Sequence, residues 1–393
     1  MREIKDTDNR KKCVYCGNNP TNDTSAFLHN TISVLMQPVD RKIVNGFVGR
    51  QINKVLEWLK VPIFEVFRLL GIVKYVDVPI KFWNERSQVI WEEAKARNIE
   101  IKQMVFLGRP IDVFKAKTLR GTILFKSLPR PMFMETESIL WMDDKMTLKK
   151  SGIPVARGGS FWNWKSVEEA TKNLTFPLIV KPRLGSRGRH TSTYLYNMDD
   201  LKKAYEVAKQ ICFFVFVEEH LVGSVYRGTS IAGKTYGILQ GDPPRIVGDG
   251  NKTVRELIAD KNKAKPDKVK DVKISPELEI FIGRSGYKLD SVLEAGKVLD
   301  LSEKIGLSYG GDAIEVTKET HPKIFEVLDR AARIVNDPVI GFDFIIADVG
   351  SDPTKQKWGI LEANSLPFIN LHHFPRVGEP VNLAAKVWDL WKS

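Results

Sequence analysis

The stretch Val339–His373, which reads VIGFDFIIADVGSDPTKQKWGILEANSLPFINLHH, decides how this chain folds. Two apolar runs flank the polar segment Asp348–Lys357, and this pattern predicts a β-hairpin with a long loop. Asp343 and Glu362 are equally far from the midpoint of that loop. We therefore expect the two carboxylates to face each other across the paired strands.

Glu362 and Asn364 extend this acidic pair. They are two residues apart, and because side chains alternate along a strand, we expect both on one side of the sheet. Carboxylate and amide oxygens suit a hard cation such as Mg²⁺, which keeps its other positions for water and phosphate. The sequence thus predicts a metal site at Asp343, Glu362 and Asn364; the alternative is a structural hairpin with capped edges.

Length, composition and charge restrict the number of domains and the kinds of partner that fit this chain. With 393 residues, 43% of them hydrophobic, the chain can bury a core, and we expect two or three domains. The formal net charge of +12 favours anionic partners. Nucleotides, an acidic polymer, nucleic acid and a membrane surface all fit that charge.

The termini and the cysteines indicate the compartment. The opening MREIKDTDNRKK lacks the apolar core of a signal peptide, and the apolar run Ile211–Val217 is too short to cross a bilayer. The three cysteines cannot form a closed disulfide set, so we expect a cytoplasmic protein. Cys13 and Cys16 form a C-x2-C knuckle that either holds zinc, with His29 as a third ligand, or is a loop with two free thiols.

The first part of the chain is predicted to be helical. Apolar residues recur at helical spacing over Asp40–Leu59, Pro62 breaks the pattern, and the apolar segment Ile63–Val73 follows. These amphipathic segments pack on the main body, on a second copy of the chain or on a membrane surface. A helix over Asn84–Arg97 and a strand over Ile99–Leu107 then begin a small α/β unit.

A strand, a loop and a second strand follow near the middle of the chain. Phe176–Pro182 reads as a buried strand that carries Lys181, and the chain returns as a strand through Tyr196. The intervening LGSRGRH differs from a Walker-type loop, which leads into a helix and ends in Gly-Lys-Ser/Thr. It is either a phosphate-covering lid or an ordinary glycine hairpin. The residues suited to phosphate by flexible backbone or charge are Gly185, Arg187, Gly188 and Arg189.

The next strand ends in acidic residues. The segment CFFVFVEEH closes with Glu218 and Glu219, and such a strand end can offer backbone groups and a carboxylate to an adenine. Further on, GDGNKTVRELI contains a capping box from Thr253 to Glu256, which predicts the start of a helix.

The order of these features resembles that of ATP-grasp enzymes. In particular, GDGNKTVRELI, LSYGGDAIEVTKETHP, GFDF and LEANSLPFINLHHFPRVGEP resemble the ATP-grasp module of cyanophycin synthetase and of bifunctional glutathione synthetase. The likeness extends from about Glu135 to the C-terminus.

This resemblance implies an α+β ATP-grasp fold, in which two α+β lobes clasp ATP. A small α/β domain and an N-terminal helical extension are expected to precede it. The implied division is residues 1–78 for the extension, 79–140 for the small domain, 141–225 for the first lobe and 226–393 for the second lobe with the metal site.

The resemblance also implies an activity and assigns residues to it. Such enzymes join a carboxylate to an amine through an acyl phosphate, using ATP and two Mg²⁺ ions that Mn²⁺ can replace, and phosphoryl transfer depends mainly on cations and positioning. The implied contacts are Lys145 and Lys181 with ATP phosphates, Gly185, Ser186, Arg187 and Gly188 in the lid, Glu218 and Glu219 beside adenine, and Asp343, Glu362 and Asn364 on the metal ions.

Several positions depart from the family pattern. Val225 stands where such modules usually have an acidic residue for the ribose. Ser302 and Gly306 stand where relatives usually have Arg and Asn, so we expect the transition-state contacts to come from Arg227, Arg284 or another part of the chain.

These observations predict an ATP-dependent carboxylate–amine ligase that acts on small-molecule or peptide substrates. One alternative is a nucleotide-binding protein of the same fold with impaired catalysis, and another is an ATP-dependent kinase. A nucleic-acid binder rests on net charge alone, with no recognition signature in the sequence. We expect no nucleic-acid partner and no integral membrane segment, and leave a homo-oligomer open.

Overall fold

The computed structural model describes residue 15 and residues 22–45, 47–130, 148–184, 189–265, 269–283, 285–302 and 310–392. The chain divides into two units. The small unit comprises Met1–Val39, Ala156–His220 and Lys273–Lys288, and the large unit comprises Asp40–Val155, Leu221–Val272 and Leu289–Ser393. The predicted division into four segments is a different partition and stays a prediction.

The helices and strands are numbered in chain order. The helices are α1 (Asp23–Asn45), α2 (Phe47–Leu69), α3 (Glu85–Ala96), α4 (Trp164–Thr171), α5 (Met198–Lys209), α6 (Val254–Ala264), α7 (Pro276–Gly283), α8 (Pro322–Val335), α9 (Asn370–His373) and α10 (Leu383–Asp389). The strands are β1 (Val73–Val76), β2 (Ile101–Phe106), β3 (Arg109–Thr118), β4 (Gly121–Lys126), β5 (Gly158–Phe161), β6 (Leu178–Pro182), β7 (Ser192–Leu195), β8 (Val215–Glu219), β9 (Ser224–Ile231), β10 (Lys234–Asp242), β11 (Arg245–Val247), β12 (Val298–Asp300), β13 (Asp312–Glu315), β14 (Val339–Ile346) and β15 (Gly359–Asn364).

Helix α2 corrects the prediction that Pro62 breaks the helical pattern. The helix runs from Phe47 to Leu69 with Pro62 inside it. Proline removes one backbone hydrogen bond from a helix interior, which is costly by itself. The cost is offset by apolar burial, because side chains on both sides of Pro62 pack against the sheet that contains β1, β2 and β4. The helix residues in this contact are Val61, Phe64 and Phe67.

The N-terminal sheet of the large unit has the order β1-β2-β3-β4, and all of its neighbouring strands are antiparallel. The predicted helix over Asn84–Arg97 is confirmed as α3. The side chain of Asn84 accepts a hydrogen bond from the backbone N–H of Ser87 and so caps the helix. Asn98, directly after the predicted helix, has a left-handed φ of 57°, which ends the helix. The predicted strand that follows is confirmed as β2.

The central sheet of the large unit is antiparallel and has the order β13-β10-β9-β14-β15. One face is covered by α8, whose Leu328 and Ala331 are fully buried against Phe342 and Phe344. Gly228 on β9 permits this close approach, since a Cβ there would lie 2.4 Å from Cδ1 of Leu328.

A second core joins the N-terminal sheet to α3, α10 and the ends of the central strands. Trp388 on α10 is 1% exposed, and its indole donates a hydrogen bond of 3.0 Å to the carbonyl of Ile90 on α3. Its ring packs edge-on against Phe125 of β4, with centroids 5.8 Å apart. Ile231 and Val339 of the central sheet belong to the same core.

The small unit contains an antiparallel sheet of order β5-β8-β6-β7. Side chains of α4 and α5 cover one face of it, where Leu178 and Val180 of β6 pack with Val215 and Val217 of β8. The predicted strand, loop and strand around Lys181 is confirmed as β6 and β7, which pair with each other. Most of α1 belongs to this unit, and its Asn30 donates a hydrogen bond of 2.8 Å to the carbonyl of Ile211.

Across the described residues, we find no helix that combines the length and the apolar character needed to cross a bilayer.

We expect Trp388→Ala to lower the free energy of unfolding of the large unit by about 3–5 kcal/mol, the range for removing a large buried aromatic side chain. Urea unfolding monitored by circular dichroism measures this loss. The matched control is Leu119→Ala, because Leu119 is 84% exposed and its removal should change stability by no more than about 0.5 kcal/mol. Equal effects of the two substitutions would contradict the role of Trp388.

Candidate active site

The predicted hairpin is confirmed as β14 and β15. Asp343 is directly opposite Glu362 in the strand pairing, and Gly341 is opposite Asn364. The two carboxylates therefore face each other as the sequence symmetry indicated. Asp343 is buried, whereas Glu362 is exposed and Asn364 is half-buried.

A β-bulge sets the direction of the Glu362 side chain. Asp343 pairs with Glu362, but the next residue, Phe344, pairs with Ile360, so Leu361 is an extra residue in β15. Ile360 and Ala363 lie in the core on the α8 side of the sheet. Glu362 is thereby placed on the same face as Asp343 and Asn364, the face opposite to α8.

The three side chains converge. The amide nitrogen of Asn364 lies 3.2 Å from Oε1 of Glu362 and 3.4 Å from Oδ2 of Asp343. Rotation of this amide by 180° would bring its oxygen to the same point. Two carboxylates and one amide oxygen are hard donors, and they fit Mg²⁺, which takes few protein ligands and completes its shell with water and phosphate.

These three residues would hold the ion, and the ion would neutralise charge on phosphate oxygens. No cluster of three or more His, Cys, Asp or Glu side chains suited to a metal occurs in the described part of the chain. The set therefore depends on the amide of Asn364 as its third ligand.

Arg227 on β9 completes a row of charges across the sheet. Asp343 is directly opposite Arg227 on one side and Glu362 on the other. The guanidinium donates two hydrogen bonds of 2.6 Å, from Nε to Oδ1 and from an Nη to Oδ2 of Asp343. Burial acts to lower the pKa of Arg227, but the Asp343 carboxylate, helped by Glu362, outweighs burial and raises this pKa above its ordinary value.

Arg227 was predicted to contact a transition state, and the structure places it beside the metal-ligand set. It lies where it can fix the Asp343 carboxylate or interact with anionic oxygens bound nearby. Its catalytic role stays a prediction.

Two arginines hold the segment that follows Asn364, and no pattern in the sequence marks either of them. Buried Arg130 donates a hydrogen bond of 2.8 Å to the carbonyl of Ser365 and lies 3.5 Å from the buried carboxylate of Asp337. Arg86 on α3 donates to the carbonyls of Leu366 and Pro367. Neither position carries a sequence signal, because the partners are carbonyl groups more than 200 residues away in the chain.

His372 anchors the same segment from the other side. The ring is fully buried, with Nδ1 2.7 Å from Oε2 of Glu315 and Nε2 3.0 Å from Oγ1 of Thr229. Gly237 leaves room for the ring, since a Cβ there would lie 2.6 Å from Nδ1 of His372. Glu315 and His372 both lie within the sequence segments that resemble ATP-grasp enzymes, so that likeness could have marked them.

Lys181 and Glu218 form a pair in the small unit. Lys181 on β6 lies 3.1 Å from Oε2 of Glu218 on β8, and the side chains are 23% and 3% exposed. Because the neighbouring residues Val180 and Val217 point into the helix-covered core, Lys181 and Glu218 point to the opposite face of the sheet.

Glu219 points away from Lys181, on the helix-covered side. Its buried carboxylate accepts a hydrogen bond of 2.9 Å from the backbone of Thr175 and lies 3.3 Å from Arg157. The side chains of Glu218 and Glu219 thus lie on opposite faces, and a contact of Glu219 with adenine stays a prediction.

The other expected site residues are distributed as follows. Val225 lies on β9, opposite Ile345 of β14, and Ser302 follows β12. His29 is an exposed residue of α1. Nine predicted residues lie outside the described residues: Cys13, Cys16, Lys145, Gly185, Ser186, Arg187, Gly188, Arg284 and Gly306.

Comparison with known proteins confirms the predicted resemblance. The chain is 28% identical over 379 residues to the glutathione biosynthesis bifunctional protein of Clostridium perfringens, covering 92% of this chain and 46% of that protein. It is 30% identical over 254 residues to cyanophycin synthetase of Trichormus variabilis, covering 63% of this chain and 28% of that protein. The chain thus spans less than half the length of these relatives. No family model matches it.

A solved structure shows the same fold. The bifunctional glutathione synthetase of Pasteurella multocida superposes with a TM-score of 0.56 at 24% sequence identity, covering 78% of this chain and 44% of that protein. The predicted fold class is confirmed: the chain has the α+β ATP-grasp fold.

We expect Lys181→Met to weaken ATP binding by about 1–3 kcal/mol, the range for a hydrogen bond to a charged group. Isothermal titration calorimetry measures the affinity. The matched control is Lys172→Met, since Lys172 in the same unit is 68% exposed and pairs with the exposed carboxylate of Glu169 at 2.6 Å.

Lys181→Met removes the ammonium partner of the buried Glu218 carboxylate, which lowers the stability of the fold. The double variant Lys181→Met/Glu218→Gln also removes the negative charge. A loss of ATP affinity that persists in the double variant therefore reports on binding and not on folding. Wild-type ATP affinity in the single variant would show that Lys181 only extends over the protein surface.

Proposed function

We propose that this chain is an ATP- and Mg²⁺-dependent ligase that joins a carboxylate to an amine through an acyl phosphate. The observation that carries the proposal is the convergence of Asp343, Glu362 and Asn364 on one face of the central sheet. A carboxylate is a poor electrophile, and phosphorylation by ATP converts it into a species that an amine attacks. These three candidate metal ligands suit the phosphoryl transfer that this chemistry needs.

The remaining roles follow the sequence prediction. Lys181, paired with Glu218, is assigned to an ATP phosphate, because a partly covered ammonium offers charge and three donors to phosphate oxygens. Lys145 is assigned to a second phosphate contact, and residues 185–188 are assigned to the lid. Glu218 is assigned to the border of the adenine site.

Arg227 is assigned a positioning role at the metal set. Its two hydrogen bonds fix both oxygens of Asp343, and its positive charge reduces the repulsion between Asp343 and Glu362. We propose that this arrangement keeps both carboxylates oriented for the cation. Arg284 stays a second predicted source of charge for the transition state.

The substrates are proposed from the chemistry and from the relatives. The named relatives are a glutathione biosynthesis protein and cyanophycin synthetase. We therefore propose a small-molecule or peptide carboxylate as the acid and an amino group as the acceptor. Two metal ions, replacement of Mg²⁺ by Mn²⁺, a cytoplasmic location and a homo-oligomer stay predictions.

The same fold supports two alternative functions. A kinase would use the same metal ligands and leave a stable phosphorylated product. A nucleotide-binding protein with impaired catalysis is favoured by Val225, which offers no hydrogen bond to a ribose from its place on β9. The metal-ligand set argues for catalysis, because its exposed Glu362 adds no buried packing to the fold.

We expect Glu362→Gln to lower ATP turnover by about 10²-fold or more, since metal charge stabilisation is worth several kcal/mol and each 1.36 kcal/mol is about tenfold. ADP release measures the loss, and the circular dichroism melting curve should be unchanged because Glu362 is exposed. The control Glu326→Gln makes the same charge change at an exposed position on α8 and should keep full activity. Unchanged ADP release in Glu362→Gln would contradict the assignment of Glu362 as a metal ligand.

We expect hydroxylamine to trap a hydroxamate when it is added with ATP, Mg²⁺ and the correct acid, because an acyl phosphate is captured by amine nucleophiles. ADP and phosphate should appear in equal amounts. Screening amino acids and short acidic peptides for substrate-dependent ADP release finds the acid. A stable phosphorylated product without hydroxamate would identify a kinase instead.

A further inference from the structure

A cavity of about 790 Å³ opens beside the last turns of α2, on the α2 side of the N-terminal sheet. We call it the basic groove and define it by the lining residues Arg68, Lys74, Tyr75, Lys102, Lys115 and Lys117. It shares no residue with the metal-ligand set or with the Lys181–Glu218 pair.

Three of these lysines lie on one face of neighbouring strands. Lys102 of β2 is directly opposite Lys115 of β3 in the strand pairing. Lys117 is two residues further along β3 and so points to the same face. Like charges directly opposite each other destabilise a sheet. An anion that lies over the strands would therefore reduce whatever repulsion the protein's own carboxylates leave.

Carboxylates of the protein neutralise only part of this charge. Glu65 lies 2.5 Å from Lys115 and 2.7 Å from Arg68. The hydrogen bond from Lys115, followed by the one from Arg68, holds the pKa of Glu65 below its ordinary value. Lys102 lies 3.3 Å from Asp77 and 3.5 Å from Glu100.

Two exposed lysines of the groove keep their charge uncompensated. In the part of the chain that the structure describes, no carboxylate lies within 4.0 Å of the ammonium of Lys74 or Lys117. Lys117 shares the face of Lys102 and Lys115 and can move toward a ligand without breaking an ion pair, whereas Lys74 alternates with Tyr75 on the edge strand β1 and lines the rim of the groove.

Tyr75 adds an unused hydrogen-bond donor. Its hydroxyl is buried and makes no hydrogen bond to any described residue. Burial, with a smaller effect of Glu65, raises the pKa of Tyr75 to about 12, so the hydroxyl keeps its proton at neutral pH. The ammonium of Lys115 lies 5.0 Å from the centre of its ring. A buried donor beside several cations is suited to an anionic oxygen.

We propose that the basic groove binds a small molecule that carries two or more separated anionic groups, either phosphates or carboxylates. The cavity volume is in the range of small-molecule sites and exceeds the size of a single phosphate. Lysine recognises oxyanions as a point charge, so three lysines on one face of the groove and a fourth at its rim suit several anionic groups at different positions. The site is independent of the proposed ligase reaction.

Calorimetric titration of the full chain with inorganic tripolyphosphate and with citrate tests the proposal. We expect Lys74→Gln/Lys117→Gln to weaken binding of the preferred probe at least tenfold, and Tyr75→Phe to weaken it at least threefold. The charge-matched control is Lys270→Gln/Lys297→Gln, which removes two exposed lysines of the same unit outside the groove and should leave the affinity within twofold.

The titrations are repeated in Lys181→Met, because tripolyphosphate is also expected at the proposed ATP phosphate site. Groove binding should persist in Lys181→Met and be at least tenfold weaker in the groove double variant, so failure of either proposal is distinguishable from failure of the other. Tighter binding of tripolyphosphate assigns the groove to a phosphate compound, and tighter binding of citrate assigns it to a polycarboxylate.

Three outcomes overturn the proposal. The first is that neither probe binds at a site that depends on Lys74 and Lys117. The second is equal weakening by the groove and control variants, which would indicate net charge alone. The third is that only phosphatidylglycerol vesicles or a single-stranded oligonucleotide bind through the groove, which would assign it to a macromolecular surface.

Discussion

The ion pair of Arg227 and Asp343 is the interaction on which the candidate site depends. Asp343 lies on β14, between β9 and β15. Arg227 of β9 is directly opposite it on one side, and Glu362 of β15 is directly opposite it on the other. A buried carboxylate beside a second carboxylate is costly unless a cation compensates it. The bidentate guanidinium supplies that charge, so two acids and one amide can lie on a single face of the sheet.

The N-terminal sheet supports this site through the backbone that follows Asn364. Arg86 and Arg130 both come from the segment that precedes the ATP-grasp likeness, and they hold the carbonyls of residues 365–367. The core around Trp388 joins the same sheet to the ends of the central strands. Arg86, Arg130 and the core around Trp388 are therefore part of the framework that holds the segment next to Asn364.

Charge is arranged differently at the two lysine sites. Lys181 is paired with nearly buried Glu218, so its position is fixed before any ligand arrives. In the basic groove, lysines outnumber the acids that line it, and Lys74 and Lys117 extend into solvent. A fixed and compensated lysine favours a defined contact with one group, whereas uncompensated lysines attract anions over a wider range of positions.

The sequence by itself determined the β14–β15 hairpin, the Asp343–Glu362 pairing and the Thr253–Glu256 capping box at the start of α6, because periodicity, loop symmetry and capping act over a few residues. Local patterns failed where distant packing decided the outcome. Pro62 lies inside α2 because apolar side chains around it are buried on the N-terminal sheet. Likewise, only the assembled sheet could show the bulge at Leu361, which allows Ile360 and Ala363 to fill the core while Glu362 turns to the opposite face. The physical reason is that burial energy is gained between residues far apart in the chain, and it exceeds the local preferences that a sequence displays.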